Sequence, residues 1–382
     1  MNRTPFVAQA LPAWRRAVLK VGSSLLAANG GGLSTRHALG LAAFIAASHR
    51  QGREVVLVSS GAVAAGRAVC VATPDLRHGL AARQALAAMG QTQMVALWQR
   101  FFDRPAAQVL LSHDDLRNRR RYLNARATLR ELLSLGALPV VNENDTVAVD
   151  ELKLGDNDNL AAIVAALVDA DLLLIASDVA GLYSADPRVV ADALPVQCVE
   201  GITPAVFAMA GGSGSSVGTG GMRTKLEAAL KAAAAGIETA LFDGTDANVL
   251  TLLENGQLQG SLFRASGSRL QARKYWLRHT PAVSGCVRID AGAVRALASG
   301  GASLLPGGIV AADGAFARGD MVEIVAQADG SSVARGIVQY SAAEIGRIAG
   351  RQSRDIDLLL GYSYGENVVH RDDMVTTGAV PA

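Results

Sequence analysis

The chain has 382 residues, more than one core usually holds, so a large domain with a smaller one attached is expected. Hydrophobic residues make up 50% and aromatics only 4%, with 40 glycines, which is the profile of an Ala/Val/Leu-rich α/β protein with glycine turns. The 36 basic and 34 acidic residues leave a net charge of +2, which excludes a global field drawing nucleic acid or an anionic membrane, so any such partner has to be argued locally.

Taken in order, residues 1–16 carry Pro5 and Pro12 and no apolar core of the kind a secretory leader needs, so none is expected. Residues 17–21 (AVLKV) read as a short strand that turns at Gly22-Ser23-Ser24. A helix opens near Ser34 and is expected to carry Leu39, Leu41, Ala43, Phe44 and Ile45 toward a core. The apolar strand 55–58 ends in Ser59-Ser60-Gly61-Ala62, and a helical stretch follows through Leu86, Met89, Met94, Leu97, Trp98 and Phe101. Strand 108–111, a helix over 122–135 and strand 138–141 come next. The polar stretch Lys153-Leu154-Gly155-Asp156-Asn157-Asp158-Asn159 precedes a helical apolar run, 160–168, and strand 172–176. The longest apolar runs stop at charges far short of a membrane span, so a soluble protein is expected. Cys70, Cys198 and Cys286 are scattered and odd in number, which speaks against a disulfide framework or a zinc site and fits a reducing cytoplasm.

Short continuous apolar strands separated by helices indicate a mostly parallel open sheet sandwiched by helices, and such sheets bind ligands at the carboxyl ends of their strands. That rule selects Lys20 and Gly22, Ser60 and Gly61, Asn142 to Asp145, and Ser177-Asp178. Inside an apolar strand, Lys20 would bury an ammonium group, which is costly unless an anion compensates it; near the strand end it can reach into the cleft toward a ligand. In the polar stretch, one Asp or Asn would cap the following helix; four exceed what capping needs, so the surplus is expected to face a ligand.

A second glycine-rich segment runs through Gly211-Gly212-Ser213-Gly214 to Gly218-Thr219-Gly220-Gly221-Met222-Arg223-Thr224-Lys225 and enters an alanine-rich helix, 226–235, stopped by Gly236. Its first glycines also fit a flexible linker. The later ones suit phosphate, because glycine lets backbone N–H groups close on phosphate oxygens, a helix N-terminus is partly positive, and Lys225 adds a full charge. The order required for a Walker A loop is missing. His37, His49, His78, His113, His279 and His370 are dispersed and none falls in these loops. Lysines, glycine loops and Asp/Asn without a placed histidine or cysteine fit phosphoryl transfer, which is mostly positioning and charge stabilisation. A carboxylate acceptor, with a pKa of about 4, needs no general base.

Together these segments, with Gly181-Leu182-Tyr183-Ser184-Ala185-Asp186-Pro187-Arg188 and in their order along nearly the whole chain, resemble the amino acid kinase family, and within it the branch that phosphorylates glutamate. The resemblance implies transfer of phosphate from ATP to the side-chain carboxylate of L-glutamate, the first step of proline synthesis. It implies that Lys20 and Lys225 neutralise the phosphates with Asp158 orienting their ammonium groups. Ser60, Asp145 and Asn157 would bind glutamate, helped by Asn142 and Asp156, while Lys20, Ser177, Asp178 and Thr219, Gly220, Gly221, Met222, Arg223, Thr224 and Lys225 would contact ATP. Ser177 stands where relatives often have Thr, and Ala161 where serine is common. Mg2+ would ride on the nucleotide, so no protein metal ligand is expected, while proline as feedback inhibitor and a dimer or tetramer are expected. Related kinases of N-acetylglutamate, aspartate or a nucleotide stand second.

The expected organisation is a kinase domain over 15–265, a linker over 266–282 and a small β-rich domain over 283–372, a barrel or sandwich of glycine-punctuated strands at 285–289, 303–307, 321–325 and 333–338 with one helix, 342–348. This last part is similar to the PUA domain that such bacterial kinases carry. PUA domains elsewhere bind RNA, which would make RNA binding the rival function. Here Arg264, Arg269, Arg273, Lys274 and Arg278 are followed by arginines interspersed with Asp and Glu, and stacking aromatics are few, so RNA is not an expected partner.

Overall fold

The computed structural model describes residues 5–28, 32–70, 79–148, 157–190, 192–210, 221–265, 267 and 283–377. It divides into two compact units, 1–269 and 270–382. The expected linker lies almost wholly outside the described residues.

The first unit is built on an eight-stranded sheet in the order Ala106–Leu111, Leu138–Glu143, Glu54–Ser59, Arg16–Val21, Leu172–Ser177, Glu238–Asp243, Gly260–Phe263, Cys198–Val199. The first six strands run parallel; Gly260–Phe263 is antiparallel to Glu238–Asp243, and Cys198–Val199 pairs parallel with it. The chain leaves Arg16–Val21 toward Glu54–Ser59 on one side and later enters Leu172–Ser177 on the other, so the strand order reverses between these two neighbours. In open α/β sheets that reversal opens a crevice at the carboxyl ends.

Successive strand residues point to opposite faces. Leu19, Val21, Leu57 and Leu174 join Phe44, Ile45, Met94, Trp98 and Leu250 in one core. Val18, Val58, Leu173 and Ile175 join Leu129, Leu160, Val164, Leu226 and Ala229 in the other. Helices therefore cover both faces, which is why the strands read as unbroken apolar runs. Lys20 alternates with Leu19 and Val21, so it shares the face of Val18, on which the helices Asn157–Leu167 and Met222–Ala234 pack.

Several expectations need correction. The first long helix runs Ala38–Arg50 rather than from Ser34, and Leu39 and Ala43 are exposed. Its buried row is Leu41, Ala42, Phe44, Ile45 and Ala47, because only one stripe of the helix meets the sheet. The helical stretch expected through Phe101 is the helix Leu80–Gln99, so Phe101 lies past its end. That helix crosses Ala62–Val69 at very short range. A Cβ on Gly66 would sit 1.9 Å from the carbonyl oxygen of Leu86, and one on Gly90 1.8 Å from that of Ala62. Gly66→Ala is accordingly expected to force the two backbones apart at a cost of about 1–3 kcal/mol or more. Thermal unfolding checks this, and an unshifted Tm would mean that the crossing relaxes freely.

The second unit is a five-stranded sheet in the order Ile309–Gly314, Gly285–Ile289, Met321–Ala326, Ser332–Val338, Val369–Thr376, antiparallel except between Gly285–Ile289 and Met321–Ala326. Val287, Ile324, Val338 and the fully buried Tyr340 and Ile345 centre its core. The expected strand at 303–307 is not one: Leu304 makes a single bridge to Val369 and Pro306–Gly308 is a 3-10 turn, since proline and two glycines cannot sustain a ladder. The helix Ala342–Ile348 stands as expected, started by a capping box between Ser341 and Glu344, but Ala291–Ala298 and Ile356–Leu360 are helices as well. Arg288 pairs with Asp313, and Arg335 and Arg354 lie near Glu323 and Asp355, so carboxylates offset these arginines locally.

Candidate active site

The parallel sheet brings the carboxyl ends of its strands to one edge. Ser60 N donates to Val21 O at 3.2 Å, Asn144 N to Leu111 O at 2.9 Å and Gly244 N to Ser177 O at 2.8 Å, so the loops leaving these strands are tied to one another by backbone hydrogen bonds. The helix Ala62–Val69 starts from Gly61 at φ +110°, a left-handed conformation that favours glycine and turns the chain sharply just after Ser60.

At the crevice, Asp158 lies in the first turn of Asn157–Leu167 with no exposed surface. Its Oδ1 is 2.5 Å from Lys20 Nζ and its Oδ2 is 3.2 Å from Lys225 Nζ. The Thr224 hydroxyl is 3.1 Å from the same Oδ2 and 2.8 Å from Gly221 O. Lys20 and Lys225 are 5% and 6% exposed, so both ammonium groups are buried against this one carboxylate. Burial alone would push the Asp158 carboxyl up, but the ammonium groups of Lys20 and Lys225 overcome it and hold the group below the usual carboxylate range. Two ammonium groups held side by side on one carboxylate are an arrangement suited to receiving an anion.

Beside the triad runs a chain of side-chain amides. Asn157 Nδ2 donates to Ser60 Oγ at 2.6 Å and to Asn142 Oδ1 at 2.9 Å, and Asn142 Nδ2 donates to Gln91 Oε1 at 2.9 Å. Asp145 is partly exposed in the turn after Leu138–Glu143, at the same edge. Ser177 Oγ donates to Asp178 Oδ1 at 3.3 Å at the end of Leu172–Ser177.

Of the expected residues, the geometry brings Lys20, Lys225 and Asp158 into one cluster and Ser60, Asn142 and Asn157 into another. Gly221, Met222 and Thr224 open the helix that carries Lys225. Arg223 is exposed and donates to Glu227 Oε1 at 3.2 Å, one turn along its own helix. Asp156, Thr219 and Gly220 lie outside the described residues. The expectation that the surplus of the polar stretch faces a ligand fails for Asn159, whose Oδ1 accepts from Lys231 Nζ at 2.6 Å. It bridges the two packed helices instead. Sequence reasoning missed Gln91 and Lys231. Gln84 and Gln91, two turns apart on an Ala-rich helix and each reaching the segment Asn142–Ala148, were the available signal for the first.

Comparison with known proteins matches residues 15–243 to the amino acid kinase family and residues 285–360 to the PUA domain. A glutamate 5-kinase of Xanthomonas oryzae pv. oryzae is 67% identical over 360 residues, 94% of this chain and 99% of its own. One from Xylella fastidiosa strain M23 is 64% identical over 373 residues, 97% of each chain.

Proposed function

Since the chain belongs to the amino acid kinase family, among its glutamate 5-kinases, we propose that the crevice beside Asp158 is where ATP phosphorylates the side-chain carboxylate of L-glutamate, opening proline synthesis. One carboxylate oxygen attacks the γ-phosphorus as the bond to the ADP oxygen breaks, and the product is L-glutamyl 5-phosphate. No proton has to be removed from an ionised carboxylate, so the work left to the protein is to hold two anions together.

What supports this reading above all is the meeting of Lys20 and Lys225, from distant segments, on the two oxygens of one buried carboxylate. Asp158 holds and aims both ammonium groups, and their positive charge offsets the repulsion between acceptor and phosphates. The start of Met222–Ala234 at Gly221 offers N–H groups to the nucleotide phosphates, with Ser177 and Asp178 at the neighbouring strand end. Ser60, Asn142, Asn157 and Asp145 take glutamate, Asp145 through the substrate's ammonium group. Thr224 differs from the rest of its segment, because its hydroxyl lies within reach of Asp158 and of Gly221 O, so its part is to steady Asp158 rather than to touch ATP.

Asp158 is taken up by two ammonium groups and a hydroxyl and does not suit a metal ion. Magnesium belongs instead on the phosphate oxygens, where it would add positive charge at the transferring group. Feedback inhibition by proline at the glutamate site, a dimeric or tetrameric state and a structural or regulatory part for the PUA domain complete the reading. Among the described residues no helix is long and apolar enough to cross a membrane.

The test is ADP release across L-glutamate, L-aspartate, N-acetylglutamate and UMP, with hydroxylamine present to trap an acyl phosphate. L-Glutamate is expected to give the highest kcat/KM and a hydroxamate product. Preference for another acceptor, or turnover without a trappable acyl phosphate, would overturn the reading.

A further inference from the structure

The helix Leu80–Gln99 reaches the segment Asn142–Ala148 twice. Gln84 Nε2 donates to Ala148 O at 3.1 Å and Gln91 Oε1 accepts from Asn142 Nδ2 at 2.9 Å, so two glutamines two turns apart grip both ends of the segment that carries Asn142 and Asp145. Gln91 is 6% exposed and Asn142 4%. A buried amide in an alanine-rich helix costs free energy unless it is used, and the close glycine crossing at Gly90 is what brings this one within reach of the strand end.

With the Gln91 oxygen accepting from Asn142 Nδ2, Asn142 Oδ1 is the end that faces Asn157. Asn157 then spends both amide protons, one on Asn142 Oδ1 and one on Ser60 Oγ. Ser60 already accepts, so its own proton is left to be donated outward, and Asn157 is left with its carbonyl oxygen. An outward hydroxyl donor matches a carboxylate, and an outward amide oxygen matches an ammonium group. Turning the Gln91 amide over would reverse every member of the chain, and Ser60 would donate inward.

We propose that Gln91 is a positioning and specificity-determining residue: acting through Asn142, it sets the hydrogen-bond polarity of Asn157 and Ser60 and so tunes the site to an acceptor that carries both a carboxylate and an ammonium group. This rests on the assignment of Ser60 and Asn157 to glutamate given above. Gln91 Nε2 has no partner among the described residues, so the oxygen is the end in use.

Kinetics of Gln91→Met, Gln91→Glu and Ser60→Ala with glutamate and with glutarate, which lacks the ammonium group, test it. Gln91→Met, similar in volume but with no acceptor oxygen, is expected to raise KM for glutamate roughly 5- to 30-fold, the loss of one to two hydrogen bonds. It should lower the preference for glutamate over glutarate at least about fivefold on the same scale, while KM for ATP stays close to that of the unaltered protein and Tm falls by only about 2–10 °C, the cost of leaving Asn142 Nδ2 unpaired. Gln91→Glu keeps the acceptor and is expected to stay within about threefold of the unaltered KM, well under the loss of one hydrogen bond to a charged group; it also serves if Gln91→Met does not fold. Equal losses in Gln91→Met and Gln91→Glu, or a fall in Tm with no change in KM or preference, would overturn the proposal. If Ser60→Ala leaves KM for glutamate unchanged, the site assignment fails instead; if Ser60→Ala raises it and Gln91→Met does not, only the role of Gln91 fails.

Discussion

Lys20→Ala is expected to lower kcat by roughly a thousandfold or more, while the protein stays folded and still binds nucleotide. Removing one preorganised charge from a developing transition state typically costs two to three orders of magnitude, and cationic groups on transferring phosphates reach three to five. The fold should tolerate the change because Asp158 keeps Lys225 and the Thr224 hydroxyl as partners, and because the truncated position lies at the end of its strand rather than under the core. Turnover, nucleotide binding and thermal unfolding measured together decide it. A kcat within tenfold of the unaltered enzyme removes Lys20 from the chemistry.

Asp158→Asn reaches further, because it removes the only negative member of the triad. Two buried ammonium groups would then lose the carboxylate they share, and breaking a buried ion pair by deleting one partner costs on the order of 3–5 kcal/mol. Unfolding is expected about 10 °C or more lower. The deficit should shrink when a polyanion such as triphosphate is added, and shrink more than in the unaltered protein, because the anion supplies the missing charge. Equal stabilisation of both proteins by triphosphate would mean that the lysines do not answer to Asp158. The pH dependence follows from the same carboxylate. Its pKa is lowered in the folded state by the lysines against the effect of burial, so its contribution is complete above the ordinary carboxylate value and is lost as pH falls through the lowered one. Asp158→Asn should therefore flatten the acid side of the stability profile and leave its neutral region parallel to that of the unaltered chain.

The fold was legible where periodicity and chain order speak. Leu172–Ser177 and Glu54–Ser59 are buried on both faces and could be nothing but central strands once helices were seen to separate them. Legibility failed where one face of an element is wet, as at Leu39, because an amphipathic stripe cannot be placed to within one residue from composition. It failed again at 303–307, where two leucines concealed a turn made by Pro306, Gly307 and Gly308.

The residue types of the site, and the strand ends and helix starts they occupy, were determined by the sequence alone, because a parallel sheet leaves its ligand groups at the carboxyl ends whatever the details of packing. Which groups meet was decided only by the tertiary structure. Lys20, Asp158 and Lys225 are far apart along the chain, and they converge because the order of strands reverses beside Arg16–Val21 and two helices pack on the face that Lys20 shares. The same holds for Gln91, an ordinary polar letter in an alanine-rich helix until the crossing of Gly90 over Ala62 delivers it to Asn142. Periodicity reports which way a side chain points along its own element; its partner depends on how closely another element can approach.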